Sequence, residues 1–247
     1  VSYKKLNILR IIFIILNAVF YLLKPIKSIM TAIAETTLKC RQALAAVFDH
    51  LSISVTEIII ILAIITALVF IVKTVVDAVK SIKRGALLYK RISGAVIVVL
   101  IVYFLFNILL GASYYGESFQ DKSGIAAKPT SLEKLYNTAE YFALKAAVTS
   151  KNVKRDEHGV FAESVDEIIE RSEYIYENSY NEFPFLKFNT NKPKKLIFSK
   201  LLSKFSYTGF YFPFTGEANI NVHSPACFIP STIAHEMAHQ RGVAYEQ

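Results

Sequence analysis

The run Ile92 to Ala112 holds 21 consecutive residues without a charge. As a helix rising 1.5 Å per residue it is about 31 Å long, close to the thickness of a bilayer's hydrocarbon core. Two other apolar stretches accompany it. One runs from about Leu6 to Leu23 and carries only Arg10, near its start. The other runs from Ile58 to Val72 and extends back to Leu51 when Glu57 is placed at the interface. With 53% hydrophobic residues among 247, the chain is too apolar for an ordinary soluble domain. The expectation is a membrane domain over residues 1–112, with transmembrane helices at about 6–23, 55–72 and 92–112. Lys24-Pro25-Ile26-Lys27 offers no small-residue cleavage site, so the first span reads as a retained anchor and not a cleaved signal peptide.

The net charge of +8 is unevenly spread. Residues 1–112 hold 13 Lys and Arg against 4 Asp and Glu, whereas residues 113–247 hold 15 against 16. The basic excess therefore belongs to the membrane half, where it sets topology. The polar half carries no basic stripe interleaved with aromatics, which argues against nucleic acid as a partner. Lys73 to Arg91 contains six basic residues and one acid, Asp77, and is expected on the cytoplasmic side. Lys4, Lys5 and Arg10 put the N-terminus on that side too. The Lys24–His50 loop and everything after Ala112 are then extracytoplasmic, the loop being Ala-rich, helix-compatible and suited to lie along the membrane surface. Tyr114 and Tyr115 follow the third span where amphipathic rings suit the headgroup layer. Cys40 and Cys227 stand far apart with no C-x-x-C spacing, so no disulfide framework is indicated.

A polar linker, residues 113–128, leads into a second half spanning 129–247. Thr130 with Glu133, and Ser164 with Glu167, each form a capping-box pattern before an apolar helical repeat, and Pro184 limits the second of these helices. Leu196 to Phe205 is ambiguous between helix and strand. Gly209 to Phe214 is aromatic and extended. Glu217 to Val222 alternates polar and apolar, the pattern of a strand at an edge or a bend.

His235-Glu236-Met237-Ala238-His239 lies in a stretch that reads as a buried helix. Positions i and i+4 share one helix face, so both imidazoles can reach one zinc ion, and Glu236 can take a proton from a water that the zinc activates. The bland alternative is an amphipathic helix that happens to carry two histidines. A catalytic zinc needs three protein ligands and an open position. The third is expected to be Glu246 or a residue beyond Gln247, since Tyr245 cannot replace a histidine. Gly242 is expected to end the helix. Glu217 and Asn219, on the strand that precedes the pentad, are candidate substrate contacts, with solvent-facing polarity as the alternative.

Tyr207 to Asn221, Thr232 to Gly242 and the three-span front end closing on Leu110-Gly111-Ala112-Ser113-Tyr114-Tyr115 together resemble the bacterial membrane family called domain of unknown function 3810. The resemblance covers nearly the whole chain. It implies a mainly α protein: three transmembrane helices, then an extracytoplasmic α+β zincin-like domain with a short sheet, a H-E-x-x-H helix and a C-terminus cut short. It also implies a multi-pass protein of a bacterial cell membrane. The expected function is a zinc-dependent metallopeptidase anchored in the lipid bilayer and hydrolysing a peptide or protein substrate. In that reading His235, His239 and Glu246 are metal ligands and Glu236 is the general base. The alternative is a non-catalytic membrane sensor or assembly factor that uses the zincin-like domain for binding.

Overall fold

The computed structural model describes residues 2–125, 128–188 and 191–246. Four long helices open the chain: α1 (Tyr3–Leu23), α2 (Lys27–Phe48), α3 (Val55–Lys80) and α4 (Arg84–Leu109). A 3₁₀ turn over Gly111–Tyr114 follows, then α5 (Phe119–Ser123), α6 (Leu132–Thr149) and α7 (Val165–Arg171). The remainder comprises β1 (Lys194–Lys195), α8 (Ser199–Ser203), β2 (Gly209–Phe212), β3 (Glu217–Ile220) and α9 (Ile229–Gln240). The described residues are mainly helical, with one small three-stranded sheet among them.

Among the described residues, α1, α3 and α4 are long and apolar enough to cross a membrane. Their outward residues, such as Ile15, Leu62, Ile65, Val69 and Val99, are apolar and more than half exposed, as lipid-facing positions require. α1 packs along α4. Asn17, within the first span, donates to the carbonyls of Phe13 at 2.7 Å and Leu100 at 3.2 Å, tying the two helices by a polar bond where water cannot compete. The Lys24–His50 segment forms α2, which packs against α4 and α9. Met30 of α2, with Phe20 and Ala112, forms a small buried cluster where the spans meet it.

The sheet order is β1-β3-β2, with β1 parallel and β2 antiparallel to β3. Ala218 and Ile220 of β3 face Ile229, Ile233 and Met237 of α9 and Ile168 and Ile169 of α7, and these seven residues form the core of the polar half. Burying such side chains stabilises by about 1.5–3 kcal/mol each. The capping box of Ser164 and Glu167 is present at the start of α7. At α6 the cap sits one residue later than the sequence pattern suggests: Ser131, not Thr130, accepts from the Lys134 amide. Leu196 to Phe205 resolves as the short helix α8, between turns. Residues 126–127 of the expected linker lie outside the described residues.

β3 is the central strand, so the polar face expected at a free edge is turned inward. Glu217 is 2% exposed and Asn219 fully buried. The Glu217 carboxylate accepts from the Val55 amide at 3.2 Å, the Thr56 amide at 2.7 Å and the Thr56 hydroxyl at 2.7 Å. The Ser54 hydroxyl donates to Asn219 Oδ1 at 2.6 Å and itself accepts from the Glu57 amide. The first amides of a helix have no partner within it, and a carboxylate there also meets the positive end of the helix dipole. Glu57 returns the link, accepting from the amides of Ile197 and Phe198 at 2.6 and 2.7 Å. The sheet is thus bolted to the start of α3.

Candidate metal centre

α9 carries the pentad. Its apolar side, Ile229, Ile233 and Met237, is held in the core, which leaves His235 and His239 on one flank. Gly242, at φ +89°, ends the helix and reverses the chain. A side chain there would be strained, and a Cβ would meet Leu38 of α2 at 2.9 Å. The reversal carries the Val243 carbonyl to within 2.7 Å of His239 Nδ1. With Nδ1–H donating to that carbonyl, Nε2 is the free ligand atom, and the ring is fixed in orientation.

The same reversal delivers Glu246. Its Oε2 lies 2.8 Å from His235 Nε2 and its Oε1 lies 3.6 Å from His239 Nε2, while the two Nε2 atoms are 3.2 Å apart. The ligand atoms of all three residues fall within 4.8 Å of one another. Atoms bound tetrahedrally at about 2.1 Å from one ion stand about 3.4 Å apart, so this donor set fits a zinc ion. Two imidazoles and one carboxylate also match the chemistry of an open catalytic site. The Tyr245 hydroxyl donates to the Tyr114 carbonyl at 2.7 Å, and the two rings pack edge to face, so the segment bearing Glu246 is anchored to the end of α4.

Glu236 is 5% exposed and turns into the cavity beside these groups. Burial, with the Glu246 charge second, pushes its carboxyl up to about 7, the nearby Tyr211 backbone opposing the shift more weakly. Burial also pushes the His239 imidazolium below its ordinary pKa, which favours the neutral, ligating imidazole. A pH-dependent stability follows for the metal-free protein. A carboxyl whose folded value lies above its ordinary value contributes fully below about 4.5, and that contribution is lost as pH rises through about 7. Glu236→Gln should therefore gain stability relative to the parent between pH 5 and pH 8, by about 2–3 kcal/mol. The His239 effect runs the other way, being lost as pH falls, but it is common to both proteins and cancels. Denaturant melts of metal-free samples at the two pH values check this, and a pH-independent difference would contradict it.

The cavity measures about 580 Å³ and is lined by Gly209, Tyr211 and Thr232, by Leu110 and Tyr114, and by His235, Glu236, His239 and Glu246. One wall is β2, the open edge of the sheet. Asn221 N donates to Thr208 O, so alternate pairs are hydrogen-bonded and the backbone groups of Gly209 and Tyr211 face outward. The edge expected of Glu217 to Val222 therefore belongs to Gly209–Phe212. A Cβ on Gly209 would sit 2.8 Å from the Asn219 carbonyl and 2.9 Å from Thr232 Cγ2, so glycine is what lets the strand lie against α9. Glu217 and Asn219 are not brought to the cavity; they serve the joint with α3.

Sequence reasoning missed Arg41. It is 1% exposed, with Nη1 donating to the Tyr211 hydroxyl at 3.1 Å and its guanidinium over that ring. Tyr211 in turn lies beside His239, with ring centroids 6.1 Å apart. No local pattern marks a pair separated by 170 positions. Arg241, buried at the end of α9, donates to the Met237 carbonyl at 3.0 Å and stacks over Tyr176, so it caps the C-terminus of the helix.

A family model described as a protein of unknown function (DUF3810) matches residues 35–247. No curated protein and no solved structure matches the chain.

Proposed function

The chain belongs to the DUF3810 family, and we propose that it is a membrane-anchored, zinc-dependent metallopeptidase with a zincin-like site. The observation that carries this reading is the convergence of His235, His239 and Glu246 beside the buried carboxylate of Glu236, next to an open strand edge. His235 and His239 through Nε2, and Glu246 through its carboxylate, would hold the zinc. Bound there, the ion supplies a Lewis acid that polarises a peptide carbonyl and makes water more acidic.

The remaining chemistry belongs to the chain. A substrate peptide pairs antiparallel to β2 through the outward backbone groups of Gly209 and Tyr211. Glu236 accepts a proton from the water attacking the carbonyl carbon and returns it to the leaving nitrogen, so that an acid and an amine are released and the carboxylate is restored. Arg41 holds the Tyr211 phenol, and with it the cavity wall behind His239. The six basic residues of Lys73–Arg91 support a cytoplasmic turn between α3 and α4, which would put the site on the opposite side of the membrane.

Metal removal tests this directly. Peptide hydrolysis by the zinc-loaded chain should fall at least 100-fold in a chelator and return on adding zinc back, at roughly the 10²-fold scale of such electrophilic assistance. Hydrolysis that persists in the metal-free protein would defeat the reading. A second reading, a binding module without catalysis, is favoured by one observation: Glu246 already satisfies His235 at 2.8 Å, so the cluster coheres by itself. That reading predicts no turnover in either state.

A further inference from the structure

The cavity wall and the membrane anchor are the same piece of chain. Leu110 and Tyr114 line the cavity, and they are the residues that leave the third span. Lys90 and Arg91 fix the far end of the uncharged run Ile92 to Ala112, whose 21 residues use up the hydrocarbon thickness. Leu110 therefore sits at the hydrocarbon boundary. Tyr114 lies four residues beyond, at most about 8 Å at the 3₁₀ rise of about 2 Å per residue. The headgroup layer is about 5–8 Å deep on each side.

Two independent features mark the same level. The Lys24 ammonium lies 4.7 Å from the centre of the Tyr21 ring and 5.2 Å from that of Tyr115, a cation and two aromatic rings of the kind that populate membrane interfaces. The sheet is tied to the first residues of α3 through Glu217 and Asn219, so β2 and β3 stand directly on the start of another span. The 3₁₀ turn cannot lift away, because Ala112 and Ser113 are buried beside α2.

From this geometry we infer that the cavity takes polypeptides presented from the bilayer, and that the bond it acts on lies about three to six residues from the substrate's own membrane-embedded segment. The range follows from an extended rise of about 3.3 Å per residue over the depth of the headgroup layer and the cavity mouth. A loop of a soluble protein would have to enter the headgroups to reach Glu236, whereas a tethered chain passes the cavity as it leaves the membrane. The inference rests on the peptidase reading for the word bond, and on geometry alone for the location.

Two measurements on the full chain in lipid nanodiscs separate these. In the first, a nitroxide is attached at Ser231→Cys, an exposed residue on the cavity rim, in a Cys40→Ser, Cys227→Ser background, and its depth is read from oxygen and nickel-chelate accessibility. A label within the headgroup layer is expected; a label fully in bulk water overturns the inference whatever the activity. In the second, the zinc-loaded chain meets a pool of randomised octapeptides attached directly to an apolar anchor span, the same pool behind a 20-residue Gly/Ser spacer, and the free pool. Cleavage of the directly attached pool should exceed the other two at least tenfold. Equal or faster cleavage of the free pool overturns the inference and leaves the peptidase standing. No cleavage of any pool removes the peptidase, and the label depth then decides whether the cavity faces the bilayer.

Discussion

Glu236→Gln is expected to keep its zinc and lose peptide hydrolysis by about 10²–10⁴-fold, the range that a positioned general base contributes. Gln has the shape of Glu and the apolar side of α9 stays in the core, so the helix and its imidazoles stay in place. What it cannot do is take a proton. The loss should fall on kcat with little change in KM, because Glu236 acts on the attacking water and not on the resting peptide. Zinc content measured beside the rate separates this from a collapsed site. A Gln variant with zinc and full activity would remove Glu236 from its role.

The second large effect lies away from the cavity. Glu217→Ala strips the acceptor from the amides of Val55 and Thr56 and from the Thr56 hydroxyl, all at the joint between the sheet and α3. Each buried donor left unsatisfied costs about 1–3 kcal/mol, so a loss of about 3–4 kcal/mol in denaturant unfolding is expected. Glu217→Gln retains one acceptor oxygen and should lose about half as much. A substrate contact would behave differently, raising KM while leaving the unfolding midpoint unchanged. Measuring both quantities on both variants tells a structural carboxylate from a binding one.

Glu217 also shows where sequence reading stops. Glu217, Asn219 and Asn221 share one strand face, and a polar face ordinarily looks to solvent or substrate. Here all three are buried, because the partners of Glu217 and Asn219 lie at the polar N-terminus of a helix some 160 positions earlier. Alternation records that a face is polar; it does not record what meets it. The strand order has the same limit, since β1 reaches β3 by a crossover that no turn signal announces. Arg41 is legible only as a charge in an amphipathic helix until Tyr211 is set above it. Other features are written locally and survive. The three spans follow from runs of uncharged residues. The cap of α7 follows from Ser164 and Glu167, and the end of α9 from Gly242, since each depends on neighbours within a few positions. The reach of Glu246 to both histidines combines the two kinds: the pentad fixes the imidazoles, and the Gly242 turn returns the chain across them.

α6 stands apart in this respect. Its apolar repeat is plain in the sequence, yet Leu132, Leu135, Tyr136 and Phe142 are all exposed and none of its residues is buried. Periodicity states that a helix has an apolar face, and packing decides whether anything covers it.

Zinc content of the purified chain beside a His235→Ala control tests the central claim most directly. About one zinc per chain in the parent, lost in the control while the fold is retained, is the predicted result. A folded parent that takes up no zinc, or a control that binds as much as the parent, would contradict it.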